Sequence, residues 1–184
     1  MTDCTPFTRS LYAWEVQQAR RVFGTRLDYE QVRIHECAAW SNTLDRFGRK
    51  MKGMPAPVKP NAVTLGRHCY FPVRLLEFLA PPEHAQSYLI NWLIHELTHV
   101  WQFERLGWSY LFKALQAQFA GGAQAYKYGG EAGLQAALQQ NHSLLDFNPE
   151  QQGDICRDYY DRLRRGLDVT AWQPFIDQIQ QATV

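Results

Sequence analysis

The sequence lacks a long apolar run: no stretch reaches the ~18 residues that a helix needs to cross a bilayer. A helical membrane span is therefore not expected. The N-terminus, MTDCTPFTRS, lacks a basic start followed by an apolar stretch. No Sec-type signal peptide is expected from it, and the reading is cytoplasmic, with export by a specialised secretion system left open. An excess of one charge is missing too, because 19 Lys and Arg face 18 Asp and Glu for a formal net charge of +1. Such a chain has no strong non-specific pull toward nucleic acid or anionic lipid, so neither partner is expected. Cysteine is sparse. Cys4, Cys37, Cys69 and Cys156 form no CxxC pair, which argues against a thiolate zinc knuckle or a thioredoxin-type redox motif. They read as free thiols, mostly buried, since a disulfide framework is an odd choice for a cytosolic chain of this size.

What is present suits one folded unit. The 184 residues are 46% hydrophobic and 14% aromatic, enough for a real core, and no repeat, low-complexity tract or long linker divides them. One domain over residues 1–184 is expected. Leu11 to Phe23 carries Leu11, Trp14, Ala19, Val22 and Phe23 on one helical face, and Gly24 follows as a terminator. Val32 to Glu36 alternates as a strand, and Ala62 to Leu65 and His68 to Phe71 read as two short strands around Gly66. Between them, Gly48 to Pro60 holds Gly53, Pro55, Pro57 and Pro60 and reads as an exposed connection.

After Pro81-Pro82 the pattern turns helical. Ala85 to Leu106 contains no Gly or Pro, repeats apolar residues at helical spacing and is closed by Gly107. A second helix is expected from Ser109 to Phe119 and another from Glu131 to Gln140. Asn148-Pro149-Glu150 is a strong start signal for a helix to Arg165, and Ala171 to Gln181 makes a last amphipathic one. The fold class is α+β with a mostly helical C-terminal half. The basic cluster at Arg162, Arg164 and Arg165 reads as a solvated helix end. The six tryptophans are scattered, mostly at apolar helical positions, and core packing is their default reading.

The long helix contains His95-Glu96-Leu97-Thr98-His99. Histidines at i and i+4 lie on one face, so both imidazoles can reach one metal ion, and Glu96 beside them can take a proton from metal-bound water. The plain alternative is a pair of core or surface histidines satisfied by neighbours. Zinc normally wants a third protein ligand. A metzincin would supply a histidine after HExxHxxGxx, but Gln102 and Arg105 stand at the relevant positions. The other common arrangement takes a Glu from a later helix with an acid one turn on, and Glu150 with Asp154 fits it. Asp154 would then accept a hydrogen bond from the far nitrogen of a ligand histidine. Glu150 can also be read as an acid favoured by the first helical turn, and His142, Asp146 and Glu131 are fallback ligands. Glu104 lies too near along the same helix to converge.

These residues resemble a bacterial zincin of the gluzincin type, with thermolysin the best-known relative in motif logic. They are closer to the uncharacterised bacterial "Vgr-related" family, whose members occur near contractile secretion systems. Val22 to His35 resembles that family's opening segment and Ala62 to Phe71 its central strand pair. Leu93-Ile-His-Glu-Leu-Thr-His-Val-Trp-Gln102 matches its metal helix. The likeness spans about residues 20 to 165. It departs from thermolysin-like enzymes in the longer stretch, Gly107 to Asp146, between the second His and the Glu.

The resemblance implies a zincin-like fold, a small mainly antiparallel sheet packed on the HExxH helix. It implies Zn2+ held by His95, His99 and Glu150, with Glu96 as general base. It also implies a zinc-dependent peptidase acting on a peptide or protein, a possible secretion-system component, effector or toxin. An extended substrate would add to the sheet edge formed by the Val63 to Phe71 strands. Tyr126, Tyr128, His142 and Tyr159 are candidates for the oxyanion donor. His35 and His68 read as structural. The competing reading is a non-catalytic zincin-fold interaction module of a secretion system. Glu96 weighs against it, because a structural metal site has no use for a base.

Overall fold

The computed structural model describes residues 4–38, 40, 61–75, 87–121 and 127–181, with the side chains of 87 and 109–121 outside the description. The connection expected from Gly48 to Pro60 lies outside the described residues. In chain order come β1 (Phe7–Arg9), α1 (Ala13–Phe23), β2 (Arg33–Glu36), β3 (Val63–Leu65) and β4 (His68–Tyr70). They are followed by α2 (Ser87–Gly121), α3 (Gly130–Gln139), a 3-10 turn at Leu144–Asp146, α4 (Pro149–Arg164) and α5 (Gln173–Gln181). The α+β class and the helical C-terminal half are as expected. No helix among the described residues is long and apolar enough to cross a membrane.

Local signals account for the helix ends that matter. The Glu15 carboxylate accepts from the Tyr12 backbone N–H at 2.7 Å and caps α1, which stops at Gly24 with φ 55°. At α4, Asn148 Oδ1 accepts from the Gln151 N–H at 3.0 Å and Gln151 Oε1 accepts from the Asn148 N–H at 3.1 Å. This reciprocal pair, with Pro149 at the first helical position, sets where Glu150 sits. Helical hydrogen bonding runs through α2 to Gly121, but Gly107 (φ 70°, ψ −176°) is non-helical, so the break expected there is real.

The four strands pair in the order β1-β2-β4-β3. β1 with β2 and β3 with β4 are antiparallel, whereas β2 and β4 are parallel. Two of the three pairings are antiparallel, as expected of a mainly antiparallel sheet, and the parallel one makes the sheet mixed. The cause is topological: β3 and β4 form a tight hairpin whose second strand, not the first, lies beside β2. The long link after Glu36 allows that parallel crossover. It leaves β3 as the terminal strand of the described sheet, next to α2.

One apolar cluster joins the layers. Ile34 and Cys69 from the sheet, Phe23 from α1, Leu93, Ile94, Leu97 and Val100 from α2, Ile155 and Cys156 from α4, and Phe175 and Ile179 from α5 are all buried. The widest contact is between α2 and α4, the two helices that carry the residues discussed below.

A buried ionic cluster ties β1 to this frame. Arg9 donates to Glu15 at 2.6 and 2.8 Å and to Glu36 Oε1 at 2.8 Å, and all three are buried. Removing the cation would take the close charge partner from two buried carboxylates, leaving Glu15 on the Tyr12 N–H and Glu36 on Arg74 at 3.8 Å. Arg9→Met is expected to lower the unfolding free energy by about 3–5 kcal/mol, read as an earlier midpoint in chemical denaturation.

Two cysteines correct the sequence reading. Cys4 and Cys37 form a disulfide across 33 residues, with Cα atoms 5.5 Å apart. Pairing of Phe7 with Glu36 brings the segment before β1 alongside the end of β2, which puts the two Cα atoms within bridging range. Cys69 and Cys156 are free and buried, as expected.

Candidate metal centre

The site is built between α2 and the first turn of α4. His95 and His99, one helical turn apart, place their Nε2 atoms 3.2 Å from each other. Glu150 Oε2 lies 3.3 Å from His95 Nε2, and Glu150 Oε1 lies 3.6 Å from His99 Nε2. Ligand atoms of these three residues all fall within 4.8 Å of one another. It is the one such His, Cys, Asp or Glu group of three or more among the described residues. Two nitrogens at about 2.05 Å from a tetrahedral ion stand roughly 3.3 Å apart, so this donor set fits a zinc-sized cation.

Each histidine is oriented from behind. His95 Nδ1 donates to Asp154 Oδ1 at 3.0 Å, the contact expected for Asp154, and Arg157 in turn bonds Asp154. His99 Nδ1 donates to Gln102 Oε1 at 2.8 Å. Gln102 Nε2 donates to the Pro149 carbonyl and to Gln152 Oε1, both at 3.0 Å. Gln152 Nε2 closes the chain on the Phe147 carbonyl at 2.7 Å. Both Gln side chains are fully buried. This network holds both imidazoles with Nε2 turned toward the shared space.

The electrostatics favour a cation. Burial alone would lower the His95 pKa, but hydrogen bonds to Asp154 and Glu150 and the charges of Glu96 and Glu150 lift it to about 10. Cys69 and Cys156 are not rival ligands. Burial raises both thiols, with the Glu96 charge adding to the effect at Cys69, and Cys156 is pushed up to about 12.

Glu96 is buried, 5% exposed, and turns toward the sheet. Its Oε2 accepts from Thr64 Oγ1 at 2.7 Å, and Thr64 is the middle residue of β3. The general-base candidate is therefore held by the edge strand.

The chain is similar to part of a type VI secretion spike protein. It is 33% identical over 154 residues to the type VI secretion system spike protein VgrG2b of Pseudomonas aeruginosa. The match covers 83% of this chain and 13% of that protein. No protein-family model and no solved structure matches the chain.

The other sequence candidates are placed elsewhere. Glu131 pairs with Gln135 and Arg162, Asp146 with Ser143, and His142 is exposed. None of the three joins the group of His95, His99 and Glu150. Glu104 bonds Arg67 and the Asp28 N–H. Tyr159 donates to Gln173 and Tyr128 to Asp158, which leaves neither hydroxyl assigned to an oxyanion, and Tyr126 lies outside the described residues. His35 Nε2 and His68 Nδ1 bond each other at 2.8 Å near Tyr70, away from the α2 side of the sheet.

Several contributors escaped the sequence reading, Gln152 and Arg157 among them. Thr64 reaches Glu96 through sheet packing that spacing does not encode. Gln102 had a readable signal, a polar residue three after His99 beside Val100 and Trp101. Gly153 had one too, a glycine inside an uninterrupted helix. A Cβ at Gly153 would meet the His95 ring at 2.7–2.9 Å, closer than real contacts allow.

Proposed function

We propose that the chain is a zincin-like, zinc-dependent peptidase associated with a type VI secretion system. The observation that carries this reading is the convergence of His95, His99 and Glu150 beside a carboxylate, Glu96, that is not part of the ligand group. A zinc ion bound there supplies Lewis-acid polarisation of a carbonyl and of a water molecule. The protein's own residues do the rest. Glu96, steadied at Oε2 by Thr64, takes the proton of the attacking water at its carboxylate and returns it to the leaving nitrogen. The edge of β3 aligns an extended peptide by main-chain pairing. The spike-protein similarity supports the secretion association, and the Cys4–Cys37 disulfide suits a protein that works in an oxidising compartment after export.

The same similarity, to a protein named for its part in a spike, favours a second reading, an interaction module that keeps the metal site without catalysis. Elemental mass spectrometry on wild type, Glu150→Ala and Glu96→Gln tests the first step. About one zinc per chain is expected in wild type and Glu96→Gln, with loss in Glu150→Ala. Absence of zinc from wild type after reconstitution would remove the enzyme reading. A zinc-loaded wild type that cleaves no peptide would leave the module.

A further inference from the structure

The contact between Thr64 and Glu96 marks where along β3 a reacting peptide bond would sit. Alternate residues of a strand face the same side, about 6.6–7 Å apart. From Thr64 the next position on the α2 side is Gly66, at the hairpin turn with φ 62°. What a side chain at Gly66 would touch confirms its facing. A Cβ there would meet Trp108 Cζ2 and Cη2 at 3.4 and 3.5 Å and Phe103 Cε1 at 3.6 Å. Both aromatics belong to α2, the helix that carries Glu96.

Trp108 is 52% exposed and stands edge-to-face on Phe103, with ring centroids 4.8 Å apart. The nearest charges on this stretch, Arg67 and Glu104, are paired with each other at 2.6 Å. Beyond Thr64 the described residues thus present an aromatic step, Phe103 and Trp108, against a residue that has no side chain. It continues from β3, the terminal strand of the described sheet.

Building on the peptidase reading, we infer that Trp108 and Phe103 form a specificity subsite for a large apolar side chain of an extended peptide. That side chain lies two residues along the substrate from the one opposite Thr64. Alternation puts both on the same face of the added strand, and Gly66 lets the peptide approach the indole without a side chain between them. The apolar area covered at Trp108 is the source of the preference.

Binding is measured separately from cleavage. Zinc-loaded Glu96→Gln protein is titrated with a set of short extended peptides in which Leu or Phe replaces Ser at each position in turn. One position is expected to favour Leu or Phe by about 10-fold or more. The preference should disappear with Trp108→Ala in the same background and survive largely in Trp108→Phe. The Trp108 indole N–H resonance, assigned by its loss in Trp108→Phe, should shift on binding. No positional apolar preference, or one untouched by Trp108→Ala, overturns the subsite. Wild-type cleavage of the same peptides reads the other proposal. Binding preference without any cleavage removes the peptidase and keeps the subsite, while cleavage without the preference does the reverse.

Discussion

On the proposed peptidase reading, Glu96→Gln should lower peptide hydrolysis about 100- to 10,000-fold while zinc content stays at the level of the unmutated protein. Gln has nearly the same shape as Glu and keeps an oxygen to accept the Thr64 hydroxyl, so the local packing of a residue only 5% exposed is preserved. What it loses is the ability to take a proton. The imidazoles and Glu150 converge without it, so the metal should remain. Thr64→Val should give a smaller loss, because the carboxylate stays but its hydrogen-bonded anchor goes, and Thr64→Ser should restore most of the rate. Initial rates on a peptide substrate alongside elemental analysis decide the matter. Full activity in zinc-replete Glu96→Gln would show that Glu96 is not the base.

Legibility in the sequence followed the range of the interactions. Residues 85–106 declared a helix through their own periodicity, and His95, Glu96 and His99 came with it because their geometry needs only the helix. Asn148 and Pro149 announced the start of α4 from adjacent residues, and that start fixed Glu150 and Asp154 one turn apart on one face. The third candidate ligand was harder, since nothing in the stretch between α2 and α4 shows that the two helices lie side by side. Apart from Gln102 and Gly153, whose signals were local, the features that were missed are long-range. The parallel pairing of β2 with β4 and the disulfide between Cys4 and Cys37 depend on which strands become neighbours. The Arg9–Glu15–Glu36 cluster depends on burial of charges that a one-dimensional pattern assigns to the surface.

The polar network explains why the site holds its shape at the contact of two apolar helix faces. Unpaired amides there would each cost about 1–3 kcal/mol. Gln102 and Gln152 avoid that by serving each other, two backbone carbonyls and His99. The carbonyl that Gln102 holds belongs to Pro149, immediately before Glu150. Orientation of His99 on α2 and placement of Glu150 on α4 are thereby one arrangement, not two.

Gly153→Ala should separate metal binding from stability. In most helix interiors this change is favourable by about 1 kcal/mol, since Gly is the poorer helix former. Here the added methyl would stand 2.7–2.9 Å from three atoms of the His95 ring. The ring cannot simply swing aside, because Nδ1 is bonded to Asp154 and Nε2 faces Glu150. Either the imidazole leaves its hydrogen bonds or α4 backs away from α2 and takes Glu150 with it. Both routes spoil the donor set, so zinc affinity should fall about 10- to 100-fold, comparable to losing an orienting partner. Competition with a chromophoric chelator measures the affinity, and thermal unfolding of the metal-free protein measures the helix effect. An Ala variant that binds zinc as tightly as wild type would mean that His95 does not pack on α4 in this way.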